Sequence, residues 1–169
     1  MVMLPSTKAI RFLERLEIPE GPLAGRPLKL APFQLQFVKG ALRKDVTIAV
    51  LSVARGNAKT MLSSAIALAA LLGEIDPQPR RELIIAERTR DQARIAWNYV
   101  TALAQSLPDE TRARLTFRRQ PRYEIEYTDH NGPDLIKAIS ADGKSALGRA
   151  PTFALLDERG HWMRVKATS

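Results

Sequence analysis

The pattern of hydrophobic and polar positions predicts helices at the start of the chain, and strands that alternate with helices after it. Apolar and charged residues interleave at helical spacing over 6–17, which predicts a first helix. Proline and glycine residues break this pattern over 19–27 and predict an extended connector. Pro32 stands where a first helical residue is favoured, and the apolar spacing after it predicts a second helix to about Lys44. We therefore expect a helical lead-in over 1–45.

The following segment alternates between strand-like and helix-like runs. The predicted elements are a buried strand Val46–Val53, a helix Lys59–Gly73, a strand Glu82–Ala86 and a helix Thr89–Leu107. Thr89 and Gln92 fit a capping box at the start of the last of these helices. Strands that alternate with helices favour parallel pairing, so the pattern predicts an α/β fold with a mostly parallel sheet.

Three shorter runs, Leu115–Arg118, Tyr123–Thr128 and Leu135–Ser140, resemble strands, and a turn at 129–132 joins the last two. A small antiparallel insertion is expected there. A glycine-containing loop then leads to a final apolar strand, Thr152–Leu156. We assign 46–169 to one core.

Composition narrows the class of protein. With 169 residues and 45% hydrophobic content, the chain can form one domain with a substantial core. It contains no cysteine, which excludes a disulfide framework and a thiolate metal site, and it shows neither a signal peptide nor a membrane-spanning run. We expect a cytoplasmic protein with no membrane partner. The net charge of +8 favours either a polyanionic partner or a basic surface that only confers solubility.

The loop Ala54–Ala58 joins a predicted strand to a helix that opens on Lys59-Thr60. Free backbone N–H groups at a helix N-terminus bind anions. This setting predicts a phosphate site in which Lys59 reaches the β- and γ-phosphates of ATP and Thr60 gives its hydroxyl to Mg²⁺. The loop departs from the pattern G-x-x-x-x-G-K-[ST], since Val53 and Ala58 replace its two glycines. A chance Ala-Lys-Thr at a helix start is the alternative.

Two acids, Asp157 and Glu158, directly follow the final predicted strand. Ligands in open α/β sheets bind at the carboxyl ends of strands. There, Asp157 would hold Mg²⁺ through water and Glu158 would orient and deprotonate the attacking water. Acids in this position are often solvated caps, but their order after the phosphate loop favours the catalytic interpretation.

Three stretches resemble the ATPase domain of tailed-bacteriophage terminase large subunits, the motors that pump DNA into preformed capsids. One looks like the family's adenine-recognition segment, one like its variant phosphate loop, and one like the approach to and exit from its metal-binding strand: Leu30–Gln34, Ser52–Thr60, and Ile139 through Gly148 to Trp162. The similarity runs from Leu28 to Trp162 with order and spacing intact.

The resemblance implies an ASCE-type P-loop NTPase fold with ATP and Mg²⁺ as cofactors. It also implies that Gln34 recognises the adenine edge, that Arg55 stabilises charge near the γ-phosphate, and that Gly56, Asn57 and Ala58 cradle the phosphates. The alternatives are a helix-start glutamine that faces water and a surface arginine. Implied partners are double-stranded DNA, further copies in a ring, a portal and a small terminase subunit, in the cytoplasm of a bacterial host.

Two departures from the family pattern affect the expected function. The family usually keeps glycine where Ala58 stands. After Glu158 only 169 − 158 = 11 residues remain, whereas the family continues with a coupling motif, further strands and a nuclease domain. We therefore expect an incomplete sheet and no nuclease activity. We expect the chain to bind nucleotide but to hydrolyse it weakly or not at all.

A cluster of arginines precedes and enters the predicted hairpin: Arg112, Arg114, Arg118, Arg119 and Arg122, with Arg149 further on. They predict a basic face that tracks DNA, a subunit interface, or a solvated surface. Two other functions also remain open: a helicase-like ATPase stimulated by nucleic acid, and a non-catalytic remnant that binds DNA or a partner.

Overall fold

The computed structural model describes residues 4–54, 56–119, 121–129, 131–140 and 151–156. The lead-in contains α1 (Pro5–Leu13) and α2 (Pro32–Ala41), and each starts with proline at its first helical position. Both helices end a few residues before their predicted limits.

The segment between α1 and α2 is a closed loop, so the prediction of an extended connector is wrong. Ile18 donates its N–H to the carbonyl of Arg26 at 2.9 Å, and Leu28 donates to Leu16 at 2.8 Å. Leu16 and Leu28 are both buried in the core. Burying these two leucines turns the chain back on itself, which ends α1 early.

The predicted strand Val46–Val53 does not form, and residues 46–54 are not part of the sheet. Ile48 and Val50 are 68% and 67% exposed. β-branched residues favour strands only where a neighbouring strand supplies hydrogen bonds and packing. None of the described strands pairs with this segment, and its propensity alone does not fix a strand.

The remaining elements follow the predicted order. They are α3 (Lys59–Leu71), β1 (Glu82–Glu87), α4 (Arg90–Ala104), a short α5 (Asp109–Arg112) that was not predicted, β2 (Leu115–Arg118), β3 (Glu124–Asp129), β4 (Gly132–Ser140) and β5 (Phe153–Leu156). The capping box at α4 is confirmed: the Thr89 hydroxyl accepts the N–H of Gln92 at 3.2 Å, and the Gln92 side chain accepts the N–H of Thr89 at 3.2 Å.

The described strands form one sheet in the order β2-β3-β4-β1-β5. β1 pairs in parallel with β4 and with β5, while β3 pairs antiparallel with β2 and β4. Only β3 therefore opposes the other strands, which confirms a mostly parallel sheet with an antiparallel insertion.

One face of the sheet packs against α3 and α4. Leu83 and Ile85 of β1 belong to the hydrophobic core together with the buried residues of both helices. Nine of the 13 residues of α3 are buried, as expected for a helix that is apolar on nearly every side. Leu13 and Val38 of the lead-in lie in the same core.

The buried side chain of Arg81 links the end of α3 to the start of β1. Arg81 contacts Asp134 at 2.6 Å, with exposed side-chain fractions of 6% and 1%, and its guanidinium also donates to the carbonyl of Leu71 at 3.1 Å. The C-terminus of α3 thus lies beside the start of β1. A 13-residue helix is about 20 Å long, similar to a six-residue strand, so the N-terminus of α3 lies toward the carboxyl end of β1.

Candidate nucleotide-binding site

The loop before α3 turns sharply into the helix at Ala58. Ala58 adopts φ 52° and ψ 35°, and Gly56 has φ 84°, so both lie in the left-handed region. The first backbone bond of the helix runs from the N–H of Leu62 to the carbonyl of Ala58 at 2.9 Å. No side chain among the described residues caps this end of α3. Its first N–H groups therefore provide the donors that an anion needs.

Gln34 connects the lead-in to this loop. Its side-chain oxygen accepts the N–H of Ala31 at 2.9 Å, and its amide nitrogen donates to the carbonyl of Asn57 at 3.4 Å. The side chain is buried, which argues against the alternative of a glutamine that faces water. Asn57 in turn donates from its own amide to the carbonyl of Ala54 at 3.0 Å. The start of α2 thus supports the loop before α3.

Lys59 and Thr60 are the first two residues of α3, and both are half-buried. The carbonyl of Thr60 accepts the Ser63 hydroxyl at 3.0 Å. At this position a lysine ammonium and a threonine hydroxyl supply a cation and a hard oxygen donor beside the N–H groups of the first helical turn. This donor set fits a triphosphate with Mg²⁺.

The loop lies on the side of the sheet where an α/β protein binds ligands. The N-terminus of α3 and the last residues of β1 and β5, Glu87 and Leu156, all lie toward the carboxyl edge, since β1 and β5 are parallel. Arg55, Asp157 and Glu158 lie outside the described residues. Their proposed roles remain predictions.

Comparison with known proteins identifies the family of the chain. The model of the family "Terminase large subunit, ATPase domain" matches residues 34–168, most of the chain. The chain belongs to this family. It is similar to the terminase large subunit of Enterobacteria phage HK97, with 33% identity over 169 residues that cover 94% of this chain and 31% of the relative.

A solved structure supports the same fold. The crystal structure of the HK97 bacteriophage large terminase matches with a TM-score of 0.70 and 28% identity, covering 91% of this chain and 31% of that one. The chain thus spans about a third of the length of these terminases.

The arginines predicted to form one basic face are divided in this terminase domain. Three pair with carboxylates: Arg112 with Asp109 at 2.5 Å, Arg114 with Glu110 at 3.2 Å, and Arg118 with Glu126 at 2.9 Å. The hydrogen bond that Arg118 donates to Glu126 also raises the pKa of Arg118. Arg119 and Arg122 are exposed and have no carboxylate partner among the described residues. Arg149 lies outside the described part of the chain.

Glu87 is a residue that the sequence reasoning did not select. It is the last residue of β1 and is buried, on the same face as Leu83 and Ile85. An acid directly after the apolar run of β1, at the carboxyl end of a central strand, was the available signal. Within the described residues no cluster of three metal-ligating side chains occurs, and no described helix is long and apolar enough to cross a membrane.

Proposed function

We propose that this chain binds ATP and Mg²⁺ at the N-terminus of α3 and acts as the ATPase part of a viral DNA-packaging motor. The motor would couple ATP hydrolysis to movement of double-stranded DNA into a capsid. The observation that carries the proposal is the start of α3, which combines left-handed loop residues, Lys59 and Thr60 at the carboxyl edge of the sheet. Family membership supports it.

Each residue of the loop has a separate task in this proposal. The N–H groups after Ala58 and the ammonium of Lys59 bind the β- and γ-phosphates, while Gly56 and Asn57 bring the backbone close to them. Thr60 directs its hydroxyl to Mg²⁺, which when bound neutralises phosphate charge. These contacts orient the nucleotide before any bond is broken.

Gln34 has a positioning task as well as the predicted contact with the adenine edge. Because its amide bonds to both Ala31 and Asn57, a nucleotide that engages Gln34 would act directly on the phosphate loop. Arg55 would stabilise charge near the γ-phosphate, and Asp157 and Glu158 would hold Mg²⁺ through water and deprotonate the attacking water.

The first test is ATP affinity of Lys59→Ala measured by calorimetry with magnesium present. We expect at least a tenfold loss, because one charge-assisted contact to phosphate contributes about 1.4 kcal/mol or more. Lys39→Ala is the matched control, since Lys39 is an exposed lysine in the last turn of α2 and removes the same charge. Equal affinities for wild type and Lys59→Ala would refute the phosphate-loop assignment.

Hydrolysis needs a separate test. Glu158→Gln should leave ATP affinity nearly unchanged and abolish magnesium-dependent phosphate release, with double-stranded DNA present or absent. Asp157→Asn should reduce the effect of magnesium on phosphate release, because this substitution weakens the hold on Mg²⁺. Turnover that survives Glu158→Gln would contradict its role as the base. In the complete motor we further propose ring assembly with a portal and a small subunit, in the cytoplasm of a bacterial host.

A further inference from the structure

A positively charged groove lies between α4 and the connection from β2 to β3, and none of its lining residues belongs to the loop before α3 or to α3 itself. We call it the arginine groove. Its volume is about 520 Å³, and its lining residues are Arg94, Ile95, Trp97, Asn98, Arg119 and Tyr123.

Arg119 is held at this groove by an aromatic platform. Its guanidinium carbon lies 5.5 Å from the ring centroid of Trp97. Trp97 is only 2% exposed, and its indole N–H donates to the carbonyl of Glu124 at 3.3 Å, so the ring has a fixed position. A guanidinium that lies over a ring face keeps the N–H groups in its own plane available to a ligand. Arg118, one residue earlier, instead bonds to Glu126.

Arg94 provides the second charge on the opposite wall. It contacts Asp91 at 3.4 Å, and both side chains are more than half exposed. An exposed pair of this kind contributes little energy, so a stronger anion can recruit the guanidinium at low cost. Arg90, one helical turn earlier, and Arg122, beside Tyr123, are also exposed and extend the positive surface.

The backbone at the groove is strained at Tyr123, which has φ 44° although it is not glycine. Its carbonyl accepts the N–H of Ala138 on β4 at 3.0 Å, and its ring lies 6.0 Å from that of Trp97. Residues other than glycine rarely adopt this left-handed conformation, and those that do often lie at binding sites. These two contacts of Tyr123 hold the wall that carries Arg119.

We propose that the arginine groove binds the phosphodiester backbone of a nucleic acid, with Arg94 and Arg119 contacting phosphates from its two walls. Planar guanidinium groups match phosphate oxygens, and the groove is open rather than enclosed. Trp97 is buried beneath Arg119, which excludes it as a stacking surface for a base and favours backbone contact. The choice of DNA as the natural ligand rests on the proposed function.

The test measures binding of labelled duplex and single-stranded DNA by fluorescence anisotropy across a salt series. The double variant Arg94→Gln and Arg119→Gln should bind at least about tenfold more weakly than wild type at low salt. Its slope of log affinity against log salt should be shallower by about two, because each lost phosphate contact removes close to one counterion. Whichever DNA binds more tightly, duplex or single-stranded, identifies the form of nucleic acid whose backbone the groove binds.

The matched control is the double variant Arg112→Gln and Arg114→Gln, which removes two exposed or half-exposed arginines at the other end of β2. It should bind DNA almost as wild type does. An equal loss in both double variants would mean that only net charge matters and would overturn the proposal. Wild-type affinity in the groove variant, or no binding of either DNA by wild type, would also overturn it.

Two further measurements separate this proposal from the proposed ATPase. Lys59→Ala should keep its DNA affinity, and the groove variant should keep its ATP affinity and its thermal midpoint. If the wild-type chain binds no ATP but the groove variant binds DNA more weakly than wild type, the proposed ATPase function is refuted and the proposed DNA-binding role of the arginine groove is retained. In a Trp162→Phe background, emission from Trp97 should change when DNA binds, and this change should disappear with Arg119→Gln.

Discussion

At the scale of single residues, the backbone at Ala58 shows how the phosphate loop accommodates alanine where its family usually has glycine. Ala58 lies in the left-handed region, where glycine is favoured because it lacks a Cβ. The family usually has glycine at this position. The loop therefore keeps the required turn in spite of the alanine, at a cost in conformational energy.

Ala58→Gly should consequently stabilise the fold by about 1 kcal/mol, since relief of left-handed strain exceeds the added entropy of glycine in the unfolded chain. Urea denaturation measures the change, and ATP affinity should not fall. Ala54→Gly is the control, because Ala54 has no positive φ and its replacement should destabilise the protein. A loss of stability with Ala58→Gly would show that the loop adopts another backbone in solution.

The ion pair between Arg81 and Asp134 has a structural role. Asp134 accepts both the guanidinium and the backbone N–H of Arg81, each at 2.6 Å, and both side chains are buried. Asp134→Ala should cost about 3–5 kcal/mol of unfolding free energy, because it leaves a buried charge uncompensated. Asp45→Ala, which breaks the exposed pair with Arg43, should change stability little. Similar denaturation midpoints for the two variants would contradict this difference.

At the scale of elements, polar contacts attach the connector of the lead-in to α4 and to the turn that follows it. Tyr99 donates its hydroxyl to the carboxylate of Glu20, and the backbone N–H of Glu17 donates to the Ser106 hydroxyl at 3.2 Å. The hydrogen bond to Glu20 raises the pKa of Tyr99 above its ordinary value. The contact therefore links the protonation of a tyrosine to the docking of the connector.

A raised pKa in the folded state fixes the sign of the pH dependence. The stabilisation from Tyr99 is fully present below about pH 10, the value in the unfolded chain, and is lost as the pH rises through the higher folded value. Glu20→Gln should lower the pKa of Tyr99, as measured by ultraviolet titration of phenolate. Glu14→Gln, an exposed acid at the end of α1, should leave it unchanged. An unchanged titration in Glu20→Gln would exclude the contact.

Elements with local signals were predictable from sequence, and those that depend on distant partners were not. The capping box at Thr89 and the turn before Gly132 act over a few residues, and α4 and the β3–β4 hairpin appear where predicted. The connector is closed by long-range burial of Leu16 and Leu28, which no local spacing reveals. Gln34 was selected only by resemblance, and its bond to Asn57 joins residues 23 positions apart.

At the scale of the whole molecule, the predicted strand Val46–Val53 shows the limit of reasoning from one segment. Its composition matches a buried strand, but burial needs a neighbour on the sheet, and no described strand pairs with it. Two of its large hydrophobic residues, Ile48 and Val50, are exposed just before the phosphate loop. Position in the sheet, rather than local preference, decides the state of this segment.

The exposed apolar segment also predicts how the chain behaves at high concentration. β-branched residues with unsatisfied backbone groups are templates for pairing with another chain. We expect concentration-dependent self-association that Ile48→Lys with Val50→Lys reduces, because two like charges oppose strand pairing between copies. Leu23→Lys, at a half-exposed site on the connector, should not reduce it. Sedimentation velocity across a concentration series measures the effect, and equal association in the double variant and wild type would place the contact elsewhere.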